Sequence, residues 1–165
     1  MIRNVIFDWS GTLVDDLPAV IEATNHVLRM AGRPEVTRDQ FRAEFALPFT
    51  LFYDRHVPDV PLPRLESWFH SRFKQVQDSV TPLPHAREFL EFCRARGLRL
   101  FILSTVRADH FKKQAAKAGF GNFFDRKYLG VRDKRAKIGA ILKENQLAPD
   151  QTVFIGDMQH DVDAA

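Results

Sequence analysis

Three aspartates stand where apolar runs come to an end. Asp8 closes the run over residues 2–7, Asp157 follows Gly156 at the end of 152–155, and Asp161 comes four residues after Asp157. A further apolar run, 98–103, ends in Ser104-Thr105. Carboxylates about 4–6 Å apart repel one another, so a cluster of them is costly unless a cation sits among them. The chain has one cysteine, Cys93, and few histidines near these run ends, which leaves oxygen as the ligand atom. Oxygen-only ligation selects a hard cation, Mg²⁺ ahead of Ca²⁺. Mg²⁺ keeps one or two protein carboxylates, water and a substrate phosphate, so the chemistry indicated is that of a phosphate group. Ser104 and the amides of its loop would hold the other phosphate oxygens, with a lysine neutralising them. Taken singly, Asp8 reads as a turn residue, Ser104-Thr105 as a helix cap and Gly156-Asp157 as a strand-to-turn junction. Their occurrence together at three run ends is what points to one site.

Such a site needs a sheet to position it. Short continuous apolar runs at 2–7, 98–103 and 152–155 suit strands buried on both faces of a parallel sheet. Helical spacing separates them: a helix over 84–96 stopping at Gly97, another over 107–118 stopping at Gly119, a short segment at 128–131, and a helix over 134–145. Strands alternating with helices imply βαβ units, and ligands of such sheets bind at the carboxyl ends of the strands. The block between is different. Val20, Ile21, Thr24, Val27, Leu28 and Ala31 fall at helical spacing before Gly32. Thr37-x-x-Gln40 has the form of a capping box opening a second helix. Residues 57–63 hold three prolines and read as a loop. A third helix is expected over about 65–80, with Leu65, Trp68, Phe69, Phe73 and Val76 on one side. These aromatic stripes read as core. The expected architecture is α/β, a Rossmann-like parallel sheet core over 1–15 and 81–165, with an inserted all-helical domain over 16–80.

Length and composition agree with that reading. The chain has 165 residues, 45% of them hydrophobic and 27% charged, which excludes a disordered or low-complexity chain. No stretch approaches the roughly 20 apolar residues that cross a bilayer, and the opening residues do not form a signal peptide. A cytoplasmic, soluble protein is expected, without membrane contact. The net charge of +3 is modest. Its densest cluster, Arg126, Lys127, Arg132, Lys134, Arg135 and Lys137, lacks the aromatic and motif support of a nucleic-acid surface, so no nucleic-acid partner is expected.

The ordered set of segments resembles the haloacid dehalogenase superfamily, in particular its phosphoglycolate phosphatase-like and phosphonatase-like members with a helical cap. Asp8-Trp9-Ser10-Gly11-Thr12-Leu13 looks like the first family motif, Asp-x-Asp-Gly-Thr-Leu. Ile102-Leu103-Ser104-Thr105 looks like the second, Lys134 the third, with Lys137 as the alternative, and Gly156-Asp157-Met158-Gln159-His160-Asp161 the fourth. The resemblance implies a Mg²⁺-dependent phosphohydrolase acting on a small phosphorylated substrate. Asp8 would be the nucleophile that forms an aspartyl-phosphate. Mg²⁺ would be held by Asp8, the Ser10 carbonyl and Asp157, with Asp161 ligating or orienting a bound water. Gly11, Thr12, Ser104, Thr105 and Lys134 would surround the phosphate. Lys134 would also keep Asp8 ionised, and the helical block would close over the site and select the leaving group.

One position departs from the family pattern. The second aspartate of the first motif, the general acid/base, is Ser10 here. A hydroxyl cannot serve as a carboxylic acid near neutral pH, and general acid–base catalysis is worth about 10²–10⁴-fold. P-type ATPases place Thr at this position, and phosphonoacetaldehyde hydrolases place Ala in an Asp-Trp-Ala-Gly-Thr motif close to the present one. The latter also carry a Schiff-base lysine after a Leu-Pro pair, whereas Leu47-Pro48 is followed by Phe49, which argues against C–P cleavage through an imine. His56 and His70 are the alternatives for a substituted acid/base. A non-catalytic phosphate- or partner-binding domain, and a phosphotransferase or phosphonatase-like enzyme, stay open as other readings. The chain ends in what looks like the first turn of a helix, which implies either a fragment or a small sheet of about four strands, whose exposed edge offers a route to oligomers.

Overall fold

The computed structural model describes residues 1–165. They form two units, one of Met1–Asp15 with Thr81–Ala165 and one of Asp16–Val80. In the first, Asn4–Phe7 (β1) is buried along its whole length. It lies parallel between Arg99–Leu103 (β4) and Thr152–Ile155 (β6), with Arg126–Tyr128 (β5) outside β4, in the order β5-β4-β1-β6. β1 and all of β4 but Arg99 are buried, which is why their runs are continuously apolar, whereas β6, expected to be buried on both faces, lies at the sheet edge with Val153 exposed and its other residues half-buried.

The register carries the functional consequence. Phe7 is level with Ile102 on one side and Ile155 on the other. Continued by one step, it sets Asp8 beside Leu103 and Gly156, with Ser104 and Asp157 one residue farther along. Helices Ala86–Ala95 (α5), Ala108–Ala118 (α6), Lys134–Asn145 (α7) and Gln159–Ala164 (α8) follow the strands. Ile6, Phe101, Leu103, Ile141 and Leu147 form one buried cluster. A second is aromatic, where the buried Trp9 ring meets Phe111 at 4.5 Å and the edges of Phe120 and Phe124. Each such side chain contributes roughly 1.5–3 kcal/mol on burial.

The second unit is helical: Leu17–Met30 (α1), Arg38–Glu44 (α2), Thr50–His56 (α3) and Leu62–Val76 (α4). Thr37 and Gln40 exchange both bonds of a capping box at the start of α2. Val27, Leu28, Phe41, Phe52, Tyr53 and Leu65 make the core of this unit, so its Phe stripes are packing residues. Arg72 and Arg29 share the Glu22 carboxylate, tying α4 to α1.

Several boundaries differ from the sequence reading. Helix α4 begins at Leu62, so Pro63 sits inside it rather than in the loop. Its missing N–H falls in the first turn, where no intrahelical bond is required. The same helix stops at Val76 and gives way to a 3₁₀ turn over Gln77–Ser79. Helix α3 has no counterpart in the sequence reading, and β5 covers 126–128 instead of 128–131. Val14–Asp15 (β2) and Thr81–Pro82 (β3) pair antiparallel, Val14 with Pro82 and Asp15 with Thr81. Two residues are too few for an alternating pattern to show.

Of the basic run, Arg126, Lys127, Arg132 and Arg135 are exposed, whereas Lys134 is fully buried. No helix is long and apolar enough to cross a membrane.

Candidate active site

Asp8 leaves the end of β1 with its amide donating to the Ile155 carbonyl at 2.9 Å, so the strand pairing extends through it. Its carboxylate is buried. Oδ1 accepts the Trp9 amide at 2.6 Å, Oδ2 lies 2.8 Å from Lys134 Nζ, and the Ser104 hydroxyl bonds to the same carboxylate. Trp9 is held in turn by its indole N–H, which donates to Gln114 Oε1 at 2.6 Å.

Lys134 opens α7 yet is completely buried, and its ammonium also donates to Asp161 Oδ1 at 2.6 Å. The other Asp161 oxygen accepts the Met158 amide at 3.1 Å, which orients the carboxylate at the start of α8. Ligand atoms of Asp8, Asp157 and Asp161 all lie within 4.8 Å of one another. Between the two lysine alternatives the geometry is unambiguous: Lys137 Nζ lies over the Tyr128 ring, 5.7 Å from its centroid.

Two glycines permit the acids to approach. Gly11 has φ +72°, and a Cβ there would run into the Asp157 carboxylate; a Cβ on Gly156 would strike the Asp161 carboxylate. The glycines beside these acids therefore act by leaving room for them. Ser10, half-buried, and Thr12 occupy the turn after Asp8, which closes through the Gly11 amide to the Val14 carbonyl at 2.9 Å. Thr105 is half-buried in the turn after Ser104. His56 pairs with Glu44 at 2.8 Å, and the His70 ring meets the Phe69 ring edge-on, both inside the helical unit.

The charge balance shows in the carboxyl pKa values. Burial raises the Asp8 carboxyl above its ordinary value; the Lys134 ammonium opposes the rise and Asp161 adds to it. The lysine thus acts in the expected direction, but burial outweighs it. Asp157 keeps a solvent-facing side, yet partial burial first, and Asp8 and Asp161 next, push it up to about 6, against the pull of Lys134. One ammonium among three carboxylates leaves net negative charge, and the donors are all oxygen. The set therefore fits a hard divalent cation.

A folded-state pKa above the unfolded value means that the folded chain binds the proton more tightly. The contribution of Asp157 to stability therefore falls as pH rises from 3.8 through about 6. In metal-free buffer at pH 7.5, Asp157→Asn should stabilise the fold by on the order of 1 kcal/mol, after solvent screening of this exposed group, and so raise the melting temperature. Below pH 4 the gain should disappear. Thermal melts in chelator at the two pH values check this, and an equal gain at both would place the cause elsewhere.

His160 belongs to the neighbourhood of the site and is absent from the sequence-derived residues. Its Nε2 accepts the Lys134 backbone amide at 3.1 Å. It occupies an unspecified position of the fourth motif, and only the packing of α8 on α7 reveals the contact.

The chain is similar to several known proteins. The phosphoglycolate phosphatase of Pseudomonas putida is 25% identical over 99% of this chain, and the chain spans 65% of that protein's length. The phosphoglycolate phosphatase of Synechococcus elongatus is 26% identical over 99% of the chain and 78% of the relative. A haloacid dehalogenase-like family hydrolase from Streptococcus pneumoniae superposes with a TM-score of 0.82 at 22% identity, covering 99% of this chain and 79% of that one. The family model described as haloacid dehalogenase-like hydrolase matches residues 5–165, and the chain belongs to that family.

Proposed function

We propose that the chain is a Mg²⁺-dependent phosphohydrolase that acts on a small phosphorylated metabolite through an aspartyl-phosphate at Asp8. The observation that carries this reading is the buried Lys134 ammonium seated 2.8 Å from Asp8 and 2.6 Å from Asp161, within a cluster of three carboxylates. Asp8, Asp157 and the Ser10 carbonyl would hold the ion, with Asp161 ligating or orienting its water. A bound divalent cation supplies screening between an anionic nucleophile and an anionic phosphate.

The protein's own groups do the rest. The Asp8 carboxylate attacks phosphorus, and the bond from phosphorus to the leaving oxygen breaks. Lys134 and Ser104 hold the phosphoryl oxygens as charge redistributes. Water then attacks the acyl phosphate, releases orthophosphate and restores Asp8. Because Ser10 offers no carboxylic acid, the leaving oxygen takes its proton from solvent and the attacking water lacks a carboxylate base. Slow turnover is therefore part of the proposal. The helical insert Asp16–Val80, following directly on the first motif, is assigned the choice of leaving group.

Ser10 also favours a second reading, a phosphate-binding domain without turnover. A panel of phosphorylated metabolites, with phosphoglycolate first because the relatives are named for it, together with an activated aryl phosphate, separates the two. Hydrolysis of the aryl phosphate should fall to background in EDTA and return when Mg²⁺ is added. Turnover that survives chelation would exclude the metal-dependent route, and phosphate binding without any hydrolysis would favour the second reading.

A further inference from the structure

We infer that His160 is a positioning residue for Lys134, holding the backbone end of the lysine whose ammonium end is held by the next residue of the same helix. The inference rests on the role given to Lys134 under the proposed function. Lys134 is the first residue of α7, and the first amides of a helix have no partner within it. The Asp133 side chain satisfies the following two, accepting from Arg135 and Ala136. The Lys134 amide lies outside that cap, in a residue with no solvent exposure. An unsatisfied buried donor is expensive, and water cannot easily serve it there. The His160 imidazole, itself only 6% exposed, fills the need by accepting at Nε2 over 3.1 Å. Asp133 Oδ1 stands 3.9 Å from the same nitrogen, beyond hydrogen-bond reach, so the amide is the partner.

Consecutive residues of α8 thus grip both ends of one side chain. His160 takes the backbone N–H and Asp161 takes Nζ at 2.6 Å. A lysine carries several rotatable bonds, and its ammonium is placed reproducibly only if its Cα is fixed as firmly as its tip. An imidazole that accepts at Nε2 carries its proton on Nδ1, so the contact also defines the tautomer. Groups one step removed from the reacting atoms typically cost about 10- to 100-fold when lost, because reacting groups drift from the productive geometry.

The test compares His160→Leu, which keeps apolar volume and deletes the acceptor, with His160→Gln, whose carbonyl can reach the same amide. With an aryl phosphate and Mg²⁺, His160→Leu should lower kcat about 10- to 100-fold with little change in KM. His160→Gln should recover most of the loss. Unchanged kcat in a folded His160→Leu protein overturns the proposal. Two NMR readouts on the wild type and the variants do not depend on turnover. The Lys134 amide should be protected from exchange in the wild type and His160→Gln and unprotected in His160→Leu. The wild type should also show a scalar coupling between the Lys134 amide nitrogen and His160 Nε2 across the hydrogen bond. If the wild type hydrolyses nothing, the phosphohydrolase reading fails, while these spectra still decide whether His160 holds Lys134. A Lys134 amide that exchanges freely in the wild type overturns the proposal even if His160→Leu does not fold.

Discussion

Asp8→Asn should reduce hydrolysis of every phosphate ester to the uncatalysed background, a loss of at least about four orders of magnitude for a nucleophile removed from a covalent route. The substitution is nearly isosteric, and its single amide oxygen can keep one of the two donors, Lys134 or the Trp9 amide, that meet separate oxygens of Asp8. It also relieves a buried carboxylate whose ionisation is opposed by burial and by Asp161. The relief offsets the one bond lost, so the variant should melt close to the wild type in metal-free buffer near neutral pH. Loss of turnover in a protein that has kept or gained stability assigns the effect to chemistry. Residual turnover above background, in a preparation free of other phosphatases, would refute the aspartyl-phosphate. Rapid-quench trapping of a phosphorylated wild-type chain, absent from Asp8→Asn, gives the positive counterpart.

Ser10→Asp should act in the opposite direction. Restoring a carboxylic acid in the turn after the nucleophile supplies a proton to the leaving oxygen and a base for the water that follows, together worth about 10²–10⁴-fold. The gain in the phosphoryl-transfer step should depend on the leaving group, large for alkyl phosphates and small for an aryl phosphate whose phenoxide departs unaided, whereas the gain in hydrolysis of the acyl phosphate should be the same for both. The first turnover of the wild type on an aryl phosphate should be followed by slower steady release, because hydrolysis of the acyl phosphate lacks its base, and Ser10→Asp should remove that burst. Ser10 is half-buried in a turn held by the Gly11 amide and the Val14 carbonyl. A fourth carboxylate near Asp8 and Asp157 should make the metal-free variant less stable than the wild type. Equal alkyl-phosphate turnover in the two proteins would show that Ser10 is not what limits the reaction.

Much of the α/β unit was legible because its central strands, β1 and most of β4, are covered on both faces. Burial of that kind writes itself into a sequence as uninterrupted apolar runs, and the residues after them inherit a shared level from the register. Asp8, Ser104 and Asp157 come together in this way, and Asp161 follows from its place four residues after Asp157. Other features depend on quantities that spacing does not carry. Lys134 and Lys137 are one helical turn apart, and only the packing of α7 on α8 decides that the first reaches Asp8 and Asp161 while the second covers Tyr128. The direction of the Asp8 shift is a difference between burial and a neighbouring cation, and sequence supplies only the cation. His160 acts on a backbone amide, a partner with no side-chain identity to recognise. Helix α3 is short and the residue that caps its start, Phe49, makes no side-chain cap bond, so it lacks the start signal that made α2 visible.

The pairing of Asp15 with Thr81 has a bearing on how this chain can vary. All of Asp16–Val80 departs from and rejoins the parallel-sheet unit at a single rung of a two-stranded ladder. In topological terms the insert is a hairpin loop that happens to contain helices, and closing a longer loop costs only about 0.6 kcal/mol per doubling. Divergence there can lengthen, shorten or exchange the insert while the strand order that sets Asp8 level with its neighbours stays the same. The ladder thereby separates what must be conserved from what is free to diversify.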